Sequence, residues 1–257
     1  MKYSFRLRAR HLARRRGDYG FDAPFWPVAL GLIGMVLLVL GLLGFWVFGG
    51  VLLGTLSLIC GLIFLLSAVS FVYTTRRGKF RVWAEILLQT GLRGDERIID
   101  IGCGRGAVLL MAAGLLPTGK ASGIDLWKRV DQSGNAEAVT RRNAELEGVA
   151  GRVELHTADM RKLPFPDGSF DVAFSSLAIH NIQEPAGRAQ TITEAVRVLK
   201  PGGRIVVVDF QRTTPGYQTR LQELGMENVK TRSLYWRFWY GGPWAAAKLV
   251  SARKPGP

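Results

Sequence analysis

The stretch from Ala23 to Thr75 contains no charged residue, and this feature constrains the chain more than any other. Within it, the apolar runs Phe25 to Phe48 and Val51 to Tyr73 lie on either side of Gly49-Gly50. A helix needs roughly 20 apolar residues to cross the hydrocarbon core of a bilayer, and both runs exceed that length. Adjacent glycines break helices and permit a tight turn. The sequence therefore predicts a two-helix transmembrane hairpin over residues 25–74 with almost no outer loop.

Basic residues flank both open ends of this hairpin, and they predict its orientation. Arginines 14–16 precede it, and Arg76, Arg77, Lys79 and Arg81 follow it. By the positive-inside rule, both ends then lie in the cytoplasm. We interpret residues 1–24 as a basic cytoplasmic segment that serves as a topology signal rather than as a binding site. Aromatic residues also fall where an interfacial belt would lie, namely Trp26, Trp46 and Tyr73.

Glycines recur within the two apolar runs. Gly34 and Gly41 are seven residues apart, as are Gly54 and Gly61, and small residues permit close helix contact in lipid. We expect the two helices to pack on each other, with a homodimer interface as the alternative. A cleaved signal peptide is disfavoured. Its apolar region would span roughly 7–15 residues before a small-residue cleavage site, whereas the first run here is longer and a second run follows it.

The charge of the whole chain agrees with a membrane location. The formal net charge is +14, and a basic protein is attracted either to nucleic acid or to an anionic membrane surface. The uncharged block beside the basic runs favours the membrane, so we expect lipid contacts through residues 25–73 and no nucleic-acid partner. Cys60 and Cys103 form neither a disulfide framework nor a metal-ligand spacing.

Residues 75–257 have the pattern of an α/β domain. Helical segments alternate with five short apolar strands, which we place at Arg97–Ile101, Ala121–Asp125, Arg152–His156, Phe170–Ser175 and Arg204–Phe210. Two further strands, Val229 to Tyr240 and Ala245 to Ala252, form a predicted hairpin around Gly241-Gly242-Pro243. Alternating strands and helices indicate a mostly parallel sheet covered on both faces. The expected sheet has seven strands with an antiparallel edge hairpin.

A glycine-rich turn with acidic neighbours lies at the end of the first strand. Gly102, Gly104 and Ala107 fit a dinucleotide loop, but that pattern alone is weak. Asp100 precedes the glycines, where a carboxylate repels a diphosphate and attracts a cationic ligand. Asp125 ends the second strand, where an acid takes ribose hydroxyls. An aspartate at the end of a strand is also a common turn or cap residue, so each position is ambiguous by itself.

Together these residues resemble a known family. The segment Asp100-Ile101-Gly102-Cys103-Gly104-Arg105-Gly106 resembles the signature of class I S-adenosylmethionine-dependent methyltransferases. Later segments resemble its ubiquinone-biosynthesis-like branch, namely Ala158–Met160, Leu163–Asp167, Phe170–Val172 and Leu199–Gly203. The resemblance runs from about Arg97 to Lys254. It implies a Rossmann-like fold and S-adenosyl-L-methionine as cofactor, and it specifies no methyl acceptor.

The resemblance assigns the methionyl and ribose ends of the cofactor site. It implies that Gly102 and Gly104 lie against the methionyl part and that Asp100 faces its ammonium group. Asp125 would hold the ribose. Ser176, after the fourth strand, would line the methionyl pocket.

The adenine end is assigned by the same resemblance. Asp159 would accept a hydrogen bond from the adenine amino group, and Met160 would supply a backbone donor. Leu126 would press on the adenine face. No metal site is expected.

Residues for the acceptor are less well defined. His180 follows the fourth strand, where an acceptor would approach, and its ordinary pKa range suits a general base. The alternative is that His180 has no catalytic role, and Asp209 at the end of the fifth strand is a weaker candidate. An aromatic cluster would form either a lip for an apolar acceptor or simple strand packing; its members are Tyr235, Trp236, Phe238, Trp239, Tyr240 and Trp244.

The sequence thus predicts an integral membrane methyltransferase whose catalytic domain and termini are cytoplasmic. Its expected acceptor is a small, apolar or lipid-like molecule. Two other classes stay open. One is a non-catalytic membrane sensor or scaffold that keeps the cofactor pocket. The other is an NAD(P)-dependent oxidoreductase, against which Asp100 and Asp159 argue.

Overall fold

The computed structural model describes residues 2–47 and 50–256. Within those ranges the main helices are α1 (Lys2–Leu12), α2 (Phe25–Trp46), α3 (Val51–Tyr73), α4 (Lys79–Thr90), α5 (Ala107–Ala113), α6 (Glu137–Leu146), α7 (Pro185–Val198) and α8 (Thr214–Glu223). The strands are β1 (Arg97–Ile101), β2 (Lys120–Asp125), β3 (Val153–Thr157), β4 (Phe170–Ser176), β5 (Leu199–Phe210), β6 (Glu227–Ser233) and β7 (Ala247–Arg253).

Helices α2 and α3 pack directly on each other at their glycines. A Cβ built on Gly61 would lie 2.9 Å from the carbonyl oxygen of Gly34, and one on Gly54 would lie 3.1 Å from that of Gly41. The hydroxyl of Ser57 donates to the carbonyl of Leu37 across the same contact, at 2.8 Å. The repeated glycines therefore mark helix contact within the hairpin. Gly49, part of the predicted turn, lies outside the described residues.

Two helices are long and apolar enough to cross a membrane. They are Phe25–Trp46 and the continuous helix Val51–Thr90. The sequence predicts that the hairpin ends at residue 74, but the helix that contains its second apolar run continues past that residue. A five-residue π-helical turn, Thr74–Gly78, joins α3 to α4 without interruption. Gly91 ends the helix with a left-handed φ of 64°.

The seven-stranded sheet confirms the predicted class of fold. Its strand order is β3-β2-β1-β4-β5-β7-β6. The first five strands in chain order are parallel, and β7 runs antiparallel to both β5 and β6. Alternate residues of each strand enter the two cores. Residues such as Ile98 and Phe174 pack with α4 and α5, whereas Ile99 and Val207 pack with α7 and α8.

The predicted hairpin at the edge is right in its pairing and wrong in its bounds. Strand β6 ends at Ser233, not at Tyr240, and Tyr235–Phe238 forms a short 3₁₀ helix. Tyr235 has a φ of 54°, which strand geometry forbids. The link between the two strands is therefore a long aromatic loop, residues 234–246, rather than a tight turn at Gly241-Gly242-Pro243.

Candidate functional site

A cavity of about 810 Å³ lies at the carboxyl ends of β1, β2 and β4. Parallel α/β sheets bind ligands at this edge, because loops and helix N-termini meet there. All nine residues predicted for the cofactor and acceptor sites line this one cavity, namely Asp100, Gly102, Gly104, Asp125, Leu126, Asp159, Met160, Ser176 and His180. The structure therefore brings the predicted set together, while the role of each residue stays a prediction.

The glycine turn forms the wall between β1 and α5. Gly102, Gly104 and Gly106 have φ values of 75°, 49° and 86°, which residues with a side chain rarely adopt. A Cβ on Gly102 would lie 2.2 Å from the Cβ of Ala178, and one on Gly104 would lie 2.7 Å from Oε1 of Gln132. Glycine is thus required at Gly102 and Gly104 for both conformation and space, and these two residues line the cavity.

Asp100 is buried beneath this turn with 1% of its surface exposed. Its Oδ2 accepts a hydrogen bond from the amide of Leu109 at 2.9 Å. Its Oδ1 has no hydrogen-bond partner among the residues that the structure describes. Burial raises the pKa of Asp100 to about 7, and the charge of Asp125 adds to the increase, while the Leu109 hydrogen bond opposes it. A cationic group placed here would satisfy the free oxygen and favour the ionised form.

Asp125 is held in place by the backbone at the end of β2. Its Oδ2 accepts from the amide of Gly104 at 2.8 Å, and its Oδ1 accepts from the amide of Trp127 at 2.6 Å. The side-chain amide of Asn135 adds a longer contact to Oδ1 at 3.3 Å. Each carboxylate oxygen accepts about two hydrogen bonds, so this carboxylate retains capacity for a neighbouring hydroxyl.

The predicted adenine end is more open. Asp159 forms a two-point ion pair with Arg161, and this pair holds the pKa of Asp159 below its ordinary value. An adenine ring bound there would therefore share the Asp159 carboxylate with the guanidinium group of Arg161. Leu126 is 45% exposed and Met160 is partly buried, so both present apolar surface to the cavity.

His180 meets Asp209 at the far side of the cavity. Nδ1 of His180 lies 2.8 Å from Oδ1 of Asp209, and the amide of His180 donates to Oδ2 at 3.1 Å. Asp209 is fully buried and also accepts from the hydroxyl of Tyr217 at 2.9 Å. The ring of Phe210 packs edge-on against the imidazole at 4.7 Å. Nδ1 of His180 makes no hydrogen bond with the described residues, so Asp209 holds His180 through the backbone amide and lies beside the imidazole.

The base of the hairpin forms part of the same cavity. Trp26 and Leu30 of α2 and Phe71 of α3 line it, as do Tyr240 and Trp244 of the aromatic loop. The rings of Phe71 and Tyr240 meet edge to face at 5.1 Å, and the hydroxyl of Thr74 donates to the carbonyl of Trp239 at 2.8 Å. Simple strand packing is thus the wrong interpretation of this cluster, because Trp239 and Tyr240 contact the hairpin and residues 235–238 form a short helix.

Sequence reasoning missed the contribution of the N-terminal segment. Residues 17–23, here called the N-terminal strap, lie across the outer side of the glycine turn. The amide of Ser133 donates to the carbonyl of Phe21, the amide of Ala23 donates to that of Asp131, and Asn143 bonds to both Asp18 and Arg105. No periodic pattern in the sequence predicts the contacts of the N-terminal strap, because they join residues more than 100 positions apart. Residues 17–23 therefore pack against the glycine turn and the loop after β2.

Comparison with known proteins agrees with the class of fold. Residues 99–207 match the family described as a methyltransferase domain. A stretch of 139 residues is 32% identical to the ubiquinone/menaquinone biosynthesis C-methyltransferase UbiE of Pseudomonas entomophila, covering 53% of this chain and 51% of that protein. The protein of the same name from Pseudomonas fluorescens is 31% identical over 148 residues, covering 57% and 54%. The chain thus spans about half the length of these curated relatives.

Solved structures share the architecture at low identity. The [4+2]-cyclase SpnF superposes with a TM-score of 0.57 and 22% identity, covering 69% of this chain and 82% of its own. A SAM-dependent methyltransferase from Aquifex aeolicus has a TM-score of 0.52 and 19% identity, covering 66% and 88%. At these identities the likeness shows the fold alone. One of the two is named as a cyclase, so the fold by itself does not fix the reaction.

Proposed function

We propose that the chain, whose residues 99–207 match a methyltransferase domain, is a membrane-anchored S-adenosylmethionine-dependent enzyme that methylates a small apolar or lipid-like acceptor at the cytoplasmic face. One observation carries this proposal. The cavity that holds the glycine turn is also lined by Trp26, Leu30 and Phe71 of the hairpin. An acceptor lying among lipid chains would reach the reacting group along this apolar wall without crossing water.

The residues that line the cavity support binding of S-adenosyl-L-methionine through their donors and acceptors. The turn at Gly102 and Gly104 leaves backbone exposed for close approach, and the unpartnered oxygen of Asp100 suits an ammonium group. Asp125 has capacity left for ribose hydroxyls. When bound, the cofactor supplies a methyl group on a sulfonium, which is transferred by in-line displacement and depends mainly on alignment. The residues of the chain therefore act chiefly by positioning.

His180 is the candidate general base at the acceptor end. A base is needed only where the acceptor loses a proton, so its involvement depends on the acceptor atom. Nδ1 of His180 lies 2.8 Å from the buried carboxylate of Asp209, so Nε2 is the nitrogen that would take the proton. The apolar neighbours Phe210 and Trp244 would exclude water from this end of the cavity.

The exposure of the two long helices supports membrane insertion. Only 11% and 17% of their most apolar stretches are buried within the protein, whereas a core helix of a soluble protein is mostly buried. Trp26 is 57% exposed and Trp46 is 86% exposed, at opposite ends of α2. With the basic flanks at both open ends, this supports a cytoplasmic location for the cavity.

The names of the relatives suit the same class of acceptor. The Pseudomonas proteins are named as C-methyltransferases of ubiquinone and menaquinone biosynthesis. This chain matches only about half of their length, so we carry over the type of acceptor, an apolar ring or chain compound, and not the identity of the compound. Carbon is accordingly the first acceptor atom to test.

Labelled methyl transfer is the direct test of the proposal. The full chain, reconstituted in lipid nanodiscs, is incubated with methyl-labelled S-adenosylmethionine and a membrane extract, and the products are separated into lipid, small-molecule and protein fractions. We expect label in the lipid or apolar fraction. Label only in protein, or in no fraction, would contradict the proposal.

The alternatives are separated by two further measurements. Asp125→Ala should abolish labelling by preventing cofactor binding. A wild-type chain that binds S-adenosylmethionine but yields no S-adenosylhomocysteine with extract would support the non-catalytic sensor or scaffold. Tighter binding of a nicotinamide dinucleotide than of S-adenosylmethionine would support the oxidoreductase.

A further inference from the structure

Asp22 lies at a junction of four separate parts of the chain. Its Oδ1 accepts from the ammonium of Lys79 at 2.8 Å and from the side-chain amide of Gln132 at 2.9 Å. Its Oδ2 accepts from Lys79 at 2.8 Å and from the hydroxyl of Tyr240 at 2.8 Å. The strap, helix α4, the loop after β2 and the aromatic loop thus meet at one carboxylate, and all four side chains line the cavity.

This junction is connected to the glycine turn by Gln132. The Nε2 group of Gln132 donates to Asp22 and, at 3.2 Å, to the carbonyl of Tyr19. Its Oε1 accepts from the amide of Arg105 at 2.9 Å and fills the space where Gly104 has no Cβ. Asp22 fixes the amide orientation of Gln132, because only the NH₂ end of that side chain can face a carboxylate. The oxygen end is then directed at the glycine turn.

Lys79 gives the junction its dependence on charge. Its side chain is 7% exposed, and Asp22 is its ion-pair partner among the described residues. A buried ammonium without a counter-charge is strongly unfavourable, so loss of the Asp22 charge should displace α4 or admit water. The strap would then lose its attachment at the same point, because Asp22 is its main side-chain anchor to α4 and the aromatic loop.

We propose that Asp22 is a positioning residue for the cofactor site, acting through Gln132 to hold the Gly104–Gly106 turn in its binding conformation. This inference rests on the proposed function and assigns to the membrane-proximal strap a part in binding S-adenosylmethionine. Asp22 lies only three residues before the start of α2. The conformation of the glycine turn therefore depends on the position of the hairpin relative to the domain.

The test is a double-mutant cycle on cofactor affinity. The full chain in lipid nanodiscs is titrated with S-adenosylhomocysteine by calorimetry, for wild type, Asp22→Asn, Gln132→Ala and the double variant. We expect each single variant to bind about tenfold more weakly, and the double variant to be no weaker than the weaker-binding single variant, as coupled residues behave. Asp167→Asn is the matched control, because this carboxylate is 80% exposed and lies away from the cavity. It should leave the affinity unchanged.

A second readout needs no bound cofactor. Hydrogen exchange at the amides of residues 104–106 should be faster in Asp22→Asn than in wild type and in Asp167→Asn. Native affinity and native exchange in Asp22→Asn would overturn the inference, as would strictly additive effects in the cycle. Should Asp22→Asn fail to fold, Gln132→Ala decides alone, since it leaves the Lys79 ion pair intact. A wild-type chain that binds no S-adenosylhomocysteine would instead contradict the proposed function.

Discussion

The indole N–H of Trp83 donates to the hydroxyl oxygen of Ser176 at 2.8 Å. Trp83 lies on α4, which continues α3 without a break, and Ser176 ends β4 at the cavity. The indole is 1% exposed and meets Phe174 edge to face at 6.0 Å. A single helix therefore leads from the proposed membrane span to the floor of the cofactor cavity. Movement of that helix would be transmitted to Ser176 directly.

Replacing this indole tests how much the contact stabilises the domain. Trp83→Phe keeps an aromatic ring but leaves Ser176 without its donor and a small void beside it. We expect the free energy of unfolding to fall by roughly 1–3 kcal/mol, measured by denaturant titration of the full chain in detergent. Trp236→Phe, at a 59% exposed position, is the control. Equal losses in the two variants would show that the buried hydrogen bond contributes little.

The glycine turn gives a second prediction. In Gly102→Ala the new methyl group would lie 2.2 Å from Ala178 and the residue would keep a φ of 75°. Since neither is tolerated, the turn must shift, and we expect affinity for S-adenosylhomocysteine to fall by about 100-fold or more. Gly151→Ala, where a Cβ has open space, should bind normally. Calorimetric titration compares them, and native affinity in Gly102→Ala would exclude the predicted contact.

The cofactor end of the site was predictable because its signals are local. Asp100 and Asp125 lie near the carboxyl ends of two short apolar strands, the glycines follow the first of them, and parallel strands bring their carboxyl ends to one edge of the sheet. Gly102 and Gly104 have positive φ values, which favour glycine over other residues, so the glycines in the sequence indicate the turn. Order along the chain was thus sufficient to place these residues together.

The positions of the N-terminal strap and the aromatic loop could not be predicted, because they depend on contacts between segments that are distant in the sequence. Asp22 meets Tyr240 across 218 positions, and neither residue belongs to a periodic pattern. The stretch from Val229 to Tyr240 has strong β-propensity, but packing of the aromatic loop on α3 overrides it after Ser233. The uncharged run ends at Thr75 and so suggests that the second helix ends there, whereas that helix continues to Thr90.

The hairpin glycines predict a stability difference between two similar variants. A Cβ on Gly61 would lie 2.9 Å from the carbonyl oxygen of Gly34, whereas one on Gly31 meets nothing within 4 Å. We therefore expect Gly61→Ala to lower the stability of the full chain by about 1–3 kcal/mol through overpacking, and Gly31→Ala to have little effect. Thermal unfolding in detergent micelles measures both. Identical melting temperatures would mean that the helices do not pack at this glycine.

Asp100 predicts how stability without cofactor depends on pH. Its pKa is about 7 in the fold against an ordinary value of 3.8, so the folded state holds the proton more tightly. The stabilisation from this group is therefore complete below about pH 4 and is lost as pH rises through about 7. We expect the wild-type melting temperature to fall more steeply over that window than that of Asp100→Asn. Parallel curves for the two proteins would contradict the raised pKa.

Loss of the His180 imidazole should separate chemistry from cofactor binding. If a proton must leave the acceptor, His180→Ala should reduce kcat by about 10²–10⁴-fold, the usual contribution of a general base, with little change in affinity for S-adenosylhomocysteine. His11→Ala, on the exposed face of α1, is the matched control. Single-turnover methyl transfer to the acceptor found by labelling measures the rate, and calorimetry measures the affinity. Unchanged kcat in His180→Ala would assign the Asp209–His180 pair to structure alone, because Asp209 would still accept from Tyr217 and from the backbone amide of residue 180.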